Sequence, residues 1–131
     1  MNYEHRKAEV SIRLLDKDGK IASNVGTEYR LVNHEFLFGC GAFDFVPYVN
    51  IPDEDKKKMF KDRVDRWLEV FNYGTVPFYW GNFEREEGKP FTEGITKAVD
   101  YMLSKNIKVK GHPLCWHTVC ADWLMKYDNK T

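Results

Sequence analysis

Phe36-Leu37-Phe38-Gly39-Cys40-Gly41-Ala42-Phe43 is a short apolar run that ends in glycines. It shows no alternation of polar and apolar residues, so it reads as a strand covered on both faces, the kind found in parallel sheets. The run leads into Asp44, which stands where a GxGxxG dinucleotide fingerprint would need its last glycine. That weakens a nucleotide-binding reading. A polar loop with Pro47 and Pro52 follows, and Pro52-Asp53-Glu54-Asp55 places acids where a helix would have its positive end. Met59, Phe60, Val64, Trp67 and Leu68 then recur at helical spacing, which predicts a helix over 53–68 with one apolar face.

The same theme repeats downstream. Val70, Phe71, Val76 and Phe78 mark a second strand candidate over 69–78. Phe91-Thr92-Glu93 opens a helix with Thr92 as its expected N-cap, and Ile95, Ala98, Val99, Met102 and Leu103 lie along one side. Residues 107–116 read as a third strand, and 120–127 as a further helical or irregular segment. Strands alternating with helices imply an α/β fold with a parallel sheet and right-handed crossovers. A doubly wound sheet and a (β/α) barrel both fit that order.

Upstream of the run, Ala8, Val10, Ile12 and Leu14 alternate with Glu9, Ser11 and Arg13, the period of a strand with one buried face. Asp16-Lys17-Asp18-Gly19-Lys20 reads as a turn, after which residues 26–32 are expected to pair back. Residues 1–34 are therefore expected to form a β-hairpin extension, and 35–131 the α/β part.

Twenty basic residues balance twenty acidic ones, so charge offers no handle for nucleic acid or an anionic membrane surface. No window approaches the roughly 20 apolar residues of a membrane helix. The first ten residues are polar and charged and lack a secretory apolar core, so the chain as given is expected to be cytoplasmic unless a leader has been trimmed from it. Three cysteines, Cys40, Cys115 and Cys120, cannot all pair with one another and are expected as buried free thiols. Asn129-Lys130-Thr131 matches a glycosylation sequon but carries little weight at a chain end.

In parallel α/β folds, function gathers at the C-terminal ends of strands. Here those ends fall at 41–44, 75–80 and 112–117. The third holds Gly111-His112-Pro113-Leu114-Cys115-Trp116-His117-Thr118. Along an extended strand, His112, Leu114 and Trp116 share one face, joining an imidazole to a flat indole that suits a pyranose. A core Trp116 with a buried, satisfied His112 is the plainer alternative. The second end, Thr75-Val76-Pro77-Phe78-Tyr79-Trp80-Gly81-Asn82-Phe83-Glu84, reads either as a cleft wall for a carbohydrate or as a packed loop. His112, Cys115, His117 and Cys120 are four zinc-type donors within nine residues. On one continuous strand, however, Cys115 and His117 would point away from His112, so no metal or other cofactor is expected.

At these residues the sequence resembles the family 10 glycoside hydrolases, chiefly endo-β-1,4-xylanases. The resemblance rests on Phe71-Asn72, on Trp80 followed by Phe83-Glu84 and Glu87-Gly88, and on Lys108-Val109-Lys110-Gly111-His112 with Leu114, Trp116-His117 and Asp122-Trp123-Leu124. The Gly-His-x-Leu-x-Trp-His block is the specific part, and about two-thirds of the chain takes part. The resemblance implies the first three units of a (β/α)8 barrel and a xylan or xylo-oligosaccharide substrate, in a family that is often secreted. It gives His112 and Trp116 to the subsite on the non-reducing side of the cut bond, with His117 and Trp80 close by and Tyr79 and Asn72 as further substrate contacts. The usual pattern has a Glu-Asn pair and a lysine where Thr75, Val76 and Tyr79 stand here, and a glutamine at Val119. Stacking should therefore replace part of the polar reading of the second sugar.

Retention needs two carboxyl groups about 5–5.5 Å apart. The resemblance puts both glutamates on the fourth and seventh strands, past Thr131. Asp44 is the only carboxylate that pattern places at a strand's C-terminal end. The chain alone is therefore expected to be inactive and to need the missing part of the barrel. A non-catalytic carbohydrate binder, or an inactive gene fragment, keeping Trp80, His112 and Trp116, is the second reading.

Overall fold

A computed structural model describes residues 4, 7–33 and 35–127 of the chain, so the sequon at 129–131 lies outside the described residues. The chain divides into two units, with the boundary after Asn33.

In the first unit the predicted turn forms. The Asp16 N–H donates to Lys20 O (2.8 Å), and Asp16 Oδ1 accepts from the N–H groups of Asp18 and Lys20, both at 2.9 Å. Gly19 adopts φ +76°, which glycine takes without strain. The predicted hairpin does not extend beyond it. One antiparallel bridge joins Leu15 to Ile21, and residues 26–32 form no strand. Val10 and Ile12 are exposed rather than buried on one face. Alternation needs a covering layer to become a strand, and a lone two-stranded ribbon is marginal in water.

The second unit is a mixed α/β structure. Its elements run β1 (Gly39–Gly41), α1 (Phe45–Asn50), α2 (Glu54–Val70), β2 (Tyr73–Pro77), α3 (Trp80–Phe83), α4 (Thr92–Ser104) and β3 (Lys108–His112), followed by 3-10 turns His117–Val119 and Asp122–Lys126. The strands form one parallel sheet in the order β1-β2-β3, with Gly39 beside Tyr73 and Tyr73 beside Lys108.

Local sequence explains most boundaries. Asp53 caps α2, its Oδ1 accepting from Asp55 N–H (3.0 Å) and Lys56 N–H (3.2 Å). At α4 the cap position is Phe91, so Thr92 is the first helical residue and not the cap, and no side chain caps this helix. Glu69 and Val70 belong to the end of α2 rather than to β2. There the helical periodicity outlasts the strand propensity of Val70.

One face of the sheet carries the core. Gly74 and Val76 turn toward the helices, where Phe45, Val64, Ala98, Met102 and Ile107 are buried with them. Met102, on the apolar side of α4, is fully buried. A Cβ on Gly74 would stand 2.1 Å from Met102 Cε, so glycine here lets α4 approach the strand. Strand alternation puts Tyr73, Thr75, Lys108, Lys110 and His112 on the other face, and the Lys110 ammonium lies 5.8 Å from the centre of the Tyr73 ring.

Candidate functional site

The C-terminal ends of the three strands gather a row of aromatic rings. Phe43, two residues past β1, stacks on Tyr79, two residues past β2, with ring centres 6.4 Å apart and planes at 27°. Tyr79 meets Trp116 at 5.6 Å and 45°, and Trp116 meets His117 edge-on at 6.5 Å and 82°. Phe43, Trp116 and His117 are exposed and Tyr79 is half-buried, so the row keeps open ring surface. Gly41 permits this arrangement. A Cβ there would meet the Phe43 ring at 2.8 Å, so its absence lets the ring lie back over the strand end.

Beside the row, Glu84 fastens a loop. Its Oε2 accepts from the Trp80 indole N–H (2.9 Å), its Oε1 from the Gly88 N–H (2.7 Å), and its backbone oxygen from the Trp123 indole N–H (2.9 Å). Trp80 and Trp123 meet edge-to-face at 5.8 Å. Gly81 packs closely against the segment after β3, where an added Cβ would come within 2.4 Å of Cys120 O. The last two contacts tie the β2 and β3 ends together, so the positions of Tyr79 and Trp116 are set by neighbouring, connected segments.

The residues singled out in the sequence divide into two groups. Tyr79, Trp116 and His117 come together. Trp80 is half-buried against Trp123, with its N–H committed to Glu84, and does not join the row. His112 is exposed at the end of β3, and its backbone oxygen accepts from the Phe78 N–H at 3.0 Å. The third strand ends there rather than at Trp116, because the chain bends at Leu114 and Cys115. His112 and Trp116 therefore do not share one strand face. Pro113, which has no N–H for a strand ladder, accounts for the early stop.

Asn72 lies at the opposite end of β2. Its Oδ1 accepts from the Phe38 N–H (2.8 Å), and its Nδ2 donates to Phe36 O (2.9 Å). Seven residues of extended chain separate it from Tyr79, on the order of 20 Å. It joins β1 to β2 and stands apart from the row. Asp44 is ion-paired with Arg63 of α2, 2.8 Å from Asp44 Oδ2 to Arg63 Nη2. That pairing turns it toward the helix layer.

All three cysteines are exposed, contrary to the buried thiols expected. Cys40 sits on an edge strand, and Cys115 and Cys120 lie in the turns after β3. Since β3 ends at His112, strand alternation does not govern His112, Cys115, His117 and Cys120. Among the described residues no three such side chains converge as metal ligands.

No protein-family model matches the chain, and no curated protein is significantly similar to it. The functional reading rests on this geometry.

Sequence reasoning missed two participants. Phe43 looked like strand core, and only the bend at its own strand end brings its ring beside Tyr79. Glu84 carried a legible signal, since it follows Trp80 by four residues, the spacing at which helical side chains meet.

Proposed function

We propose that this chain is part of a carbohydrate-active α/β protein of the endo-β-1,4-xylanase type, and that its own share of the work is to hold a xylan backbone. The observation that carries the reading is the row Phe43–Tyr79–Trp116–His117, running across all three strand ends with exposed ring surface. Pyranose rings present flat C–H faces that gain apolar contact on aromatic surfaces, while the imidazole at the end of the row can hydrogen-bond with sugar hydroxyls.

In this proposal the chain supplies the first three units of a (β/α)8 barrel. Hydrolysis with retention would need an acid/base and a nucleophile about 5–5.5 Å apart, carried by the remaining strands. Asp44 is held by Arg63 and Glu84 by Trp80 and Gly88, so both serve the local structure. Binding without cleavage is the behaviour expected of the isolated chain.

The test has two arms. Titration of the chain with xylohexaose should show saturable binding that Trp116→Ala weakens by about tenfold, a loss of roughly 1.4 kcal/mol. A polypeptide extended through the remaining strands should hydrolyse xylan where the present chain does not. Absence of sugar affinity in both polypeptides would end the reading.

A further inference from the structure

Beside the C-terminal end of β2, a cavity of about 490 Å³ opens between α1, the loop after α3 and the first turn of α4. That volume falls in the range of small-molecule sites, roughly 300–1,000 Å³. Its walls are Val46, Pro77, Tyr79, Phe83, Phe91 and Ile95, and its polar rim is Asn82, Arg85, Glu86 and Lys89. Tyr79 borders both this cavity and the aromatic row, and the sugar reading gives the rest of the space no task.

We propose that the cavity binds a small aromatic carboxylate, with Arg85 as the anion-binding group. Two phenyl rings, Phe83 and Phe91, form the apolar walls, and ring-on-ring contact favours an arene over an aliphatic group of equal size. Phe91 is held in place from behind. A Cβ on Gly94 would stand 1.8 Å from the tip of its ring, so the ring lies against bare backbone there.

The charge balance selects the ligand's polar end. Glu86 and Lys89 form an ion pair with each other and cancel. Arg85 makes no ion pair among the described residues, and its one hydrogen bond is a long one, Nη2 to Asn82 Oδ1 at 3.5 Å. Its planar fork of five N–H donors is left to face a carboxylate, which it can grip in a bidentate manner. The first turn of α4, whose N-terminus no side chain caps, borders the same cavity and adds partial positive charge. A cation would meet Arg85 in that place, and a neutral arene would leave the fork unmatched.

Calorimetric titration of the whole chain with benzoate tests this, with benzamide and cyclohexanecarboxylate as matched probes. Benzoate should bind saturably. Benzamide should bind at least about tenfold more weakly, as should benzoate to Arg85→Gln, the loss of one charge-assisted contact. Arg66→Gln on α2, which removes an exposed arginine paired with Asp62, should bind as the parent does. Ile95→Trp should fill the cavity and abolish binding. Equal affinity for benzoate and benzamide, equal affinity for cyclohexanecarboxylate, an undiminished Arg85→Gln, or no saturable binding would each overturn the proposal. Tyr79 borders both places, but Arg85 and Ile95 lie outside the aromatic row and Trp116 outside the cavity, so failure here leaves the sugar reading standing, and the reverse holds as well.

Discussion

Tyr79 touches both of its neighbours in the row, Phe43 at 6.4 Å and Trp116 at 5.6 Å. A lysine there, as in the pattern the sequence resembles, would exchange that ring for a flexible ammonium. Tyr79→Lys should weaken xylohexaose binding by roughly threefold to tenfold, the worth of one aromatic contact of about 0.5–1.5 kcal/mol. In an extended, active polypeptide it should shift KM in the same direction, and unchanged kinetics would count against a stacking role. Glycines make an independent test of the backbone. A Cβ on Gly39 would stand 1.8 Å from Tyr73 O, an atom of the neighbouring strand, whereas one on Gly111 would sit 3.6 Å from Phe78 in ordinary contact. Gly39→Ala should lower stability by about 1–3 kcal/mol, the usual cost of overpacking, while Gly111→Ala should stay within about 0.5 kcal/mol. Urea midpoints of the two variants compare them directly. The nearness of Tyr79 and Trp116 was legible because aromatic side chains at neighbouring strand ends are informative by position. The expected shared face of His112 and Trp116 failed because pattern alone does not say where a strand stops, nor which end of β2 holds Asn72.

Elements were legible where a local signal fixes a boundary. Asp53 marks the start of α2 in sequence and caps it in the structure, and the α4 periodicity places Ala98 and Met102 in the core as observed. The lead-in hairpin was not, since alternation over 8–14 specifies which face could be buried but supplies nothing to bury it against. The helices also carry a pH signature. Tyr101 on α4 meets Tyr48 on α1, ring centres 5.4 Å apart. Burial, then its hydrogen bond with Tyr48, pushes the Tyr101 phenol up from 10.0 to about 12. With the folded value above the unfolded one, the folded state holds the proton more tightly. The associated stability is complete below pH 10 and declines as pH rises toward 12. Tyr101 is partly solvated, so the decline should be a modest slope rather than a collapse. Thermal unfolding followed from pH 9 to 12 should show a smaller alkaline loss in Tyr101→Phe than in the parent. Parallel curves for the two would remove Tyr101 as the source.

At the scale of the whole molecule, the second unit has one covered sheet face and one open one. Few large side chains are fully buried, namely Phe45, Met102, Val64 and Val76 among the described residues. Meanwhile Phe36 (74%), Leu114 (58%), Phe43 (51%) and Trp116 (44%) remain exposed, and β1 and β3 are both sheet edges. Unpaired edges with adjacent apolar surface template association with other chains. Charge on the open face opposes a simple face-to-face dimer, since Lys108 and Lys110 would confront their own copies there. Association should therefore be open-ended, through the edges, rather than closing at two copies. Sedimentation of the isolated chain across a hundredfold concentration range should show a broad, growing distribution, with a thermal transition that broadens as concentration rises. Under the proposed barrel, coexpression with a polypeptide that carries its other strands should convert this to a single sharp species, because the same edges then find in-register partners. A chain that stays monomeric throughout and unfolds in one cooperative step would show that three strands and their helices suffice, and the barrel would lose its physical motive.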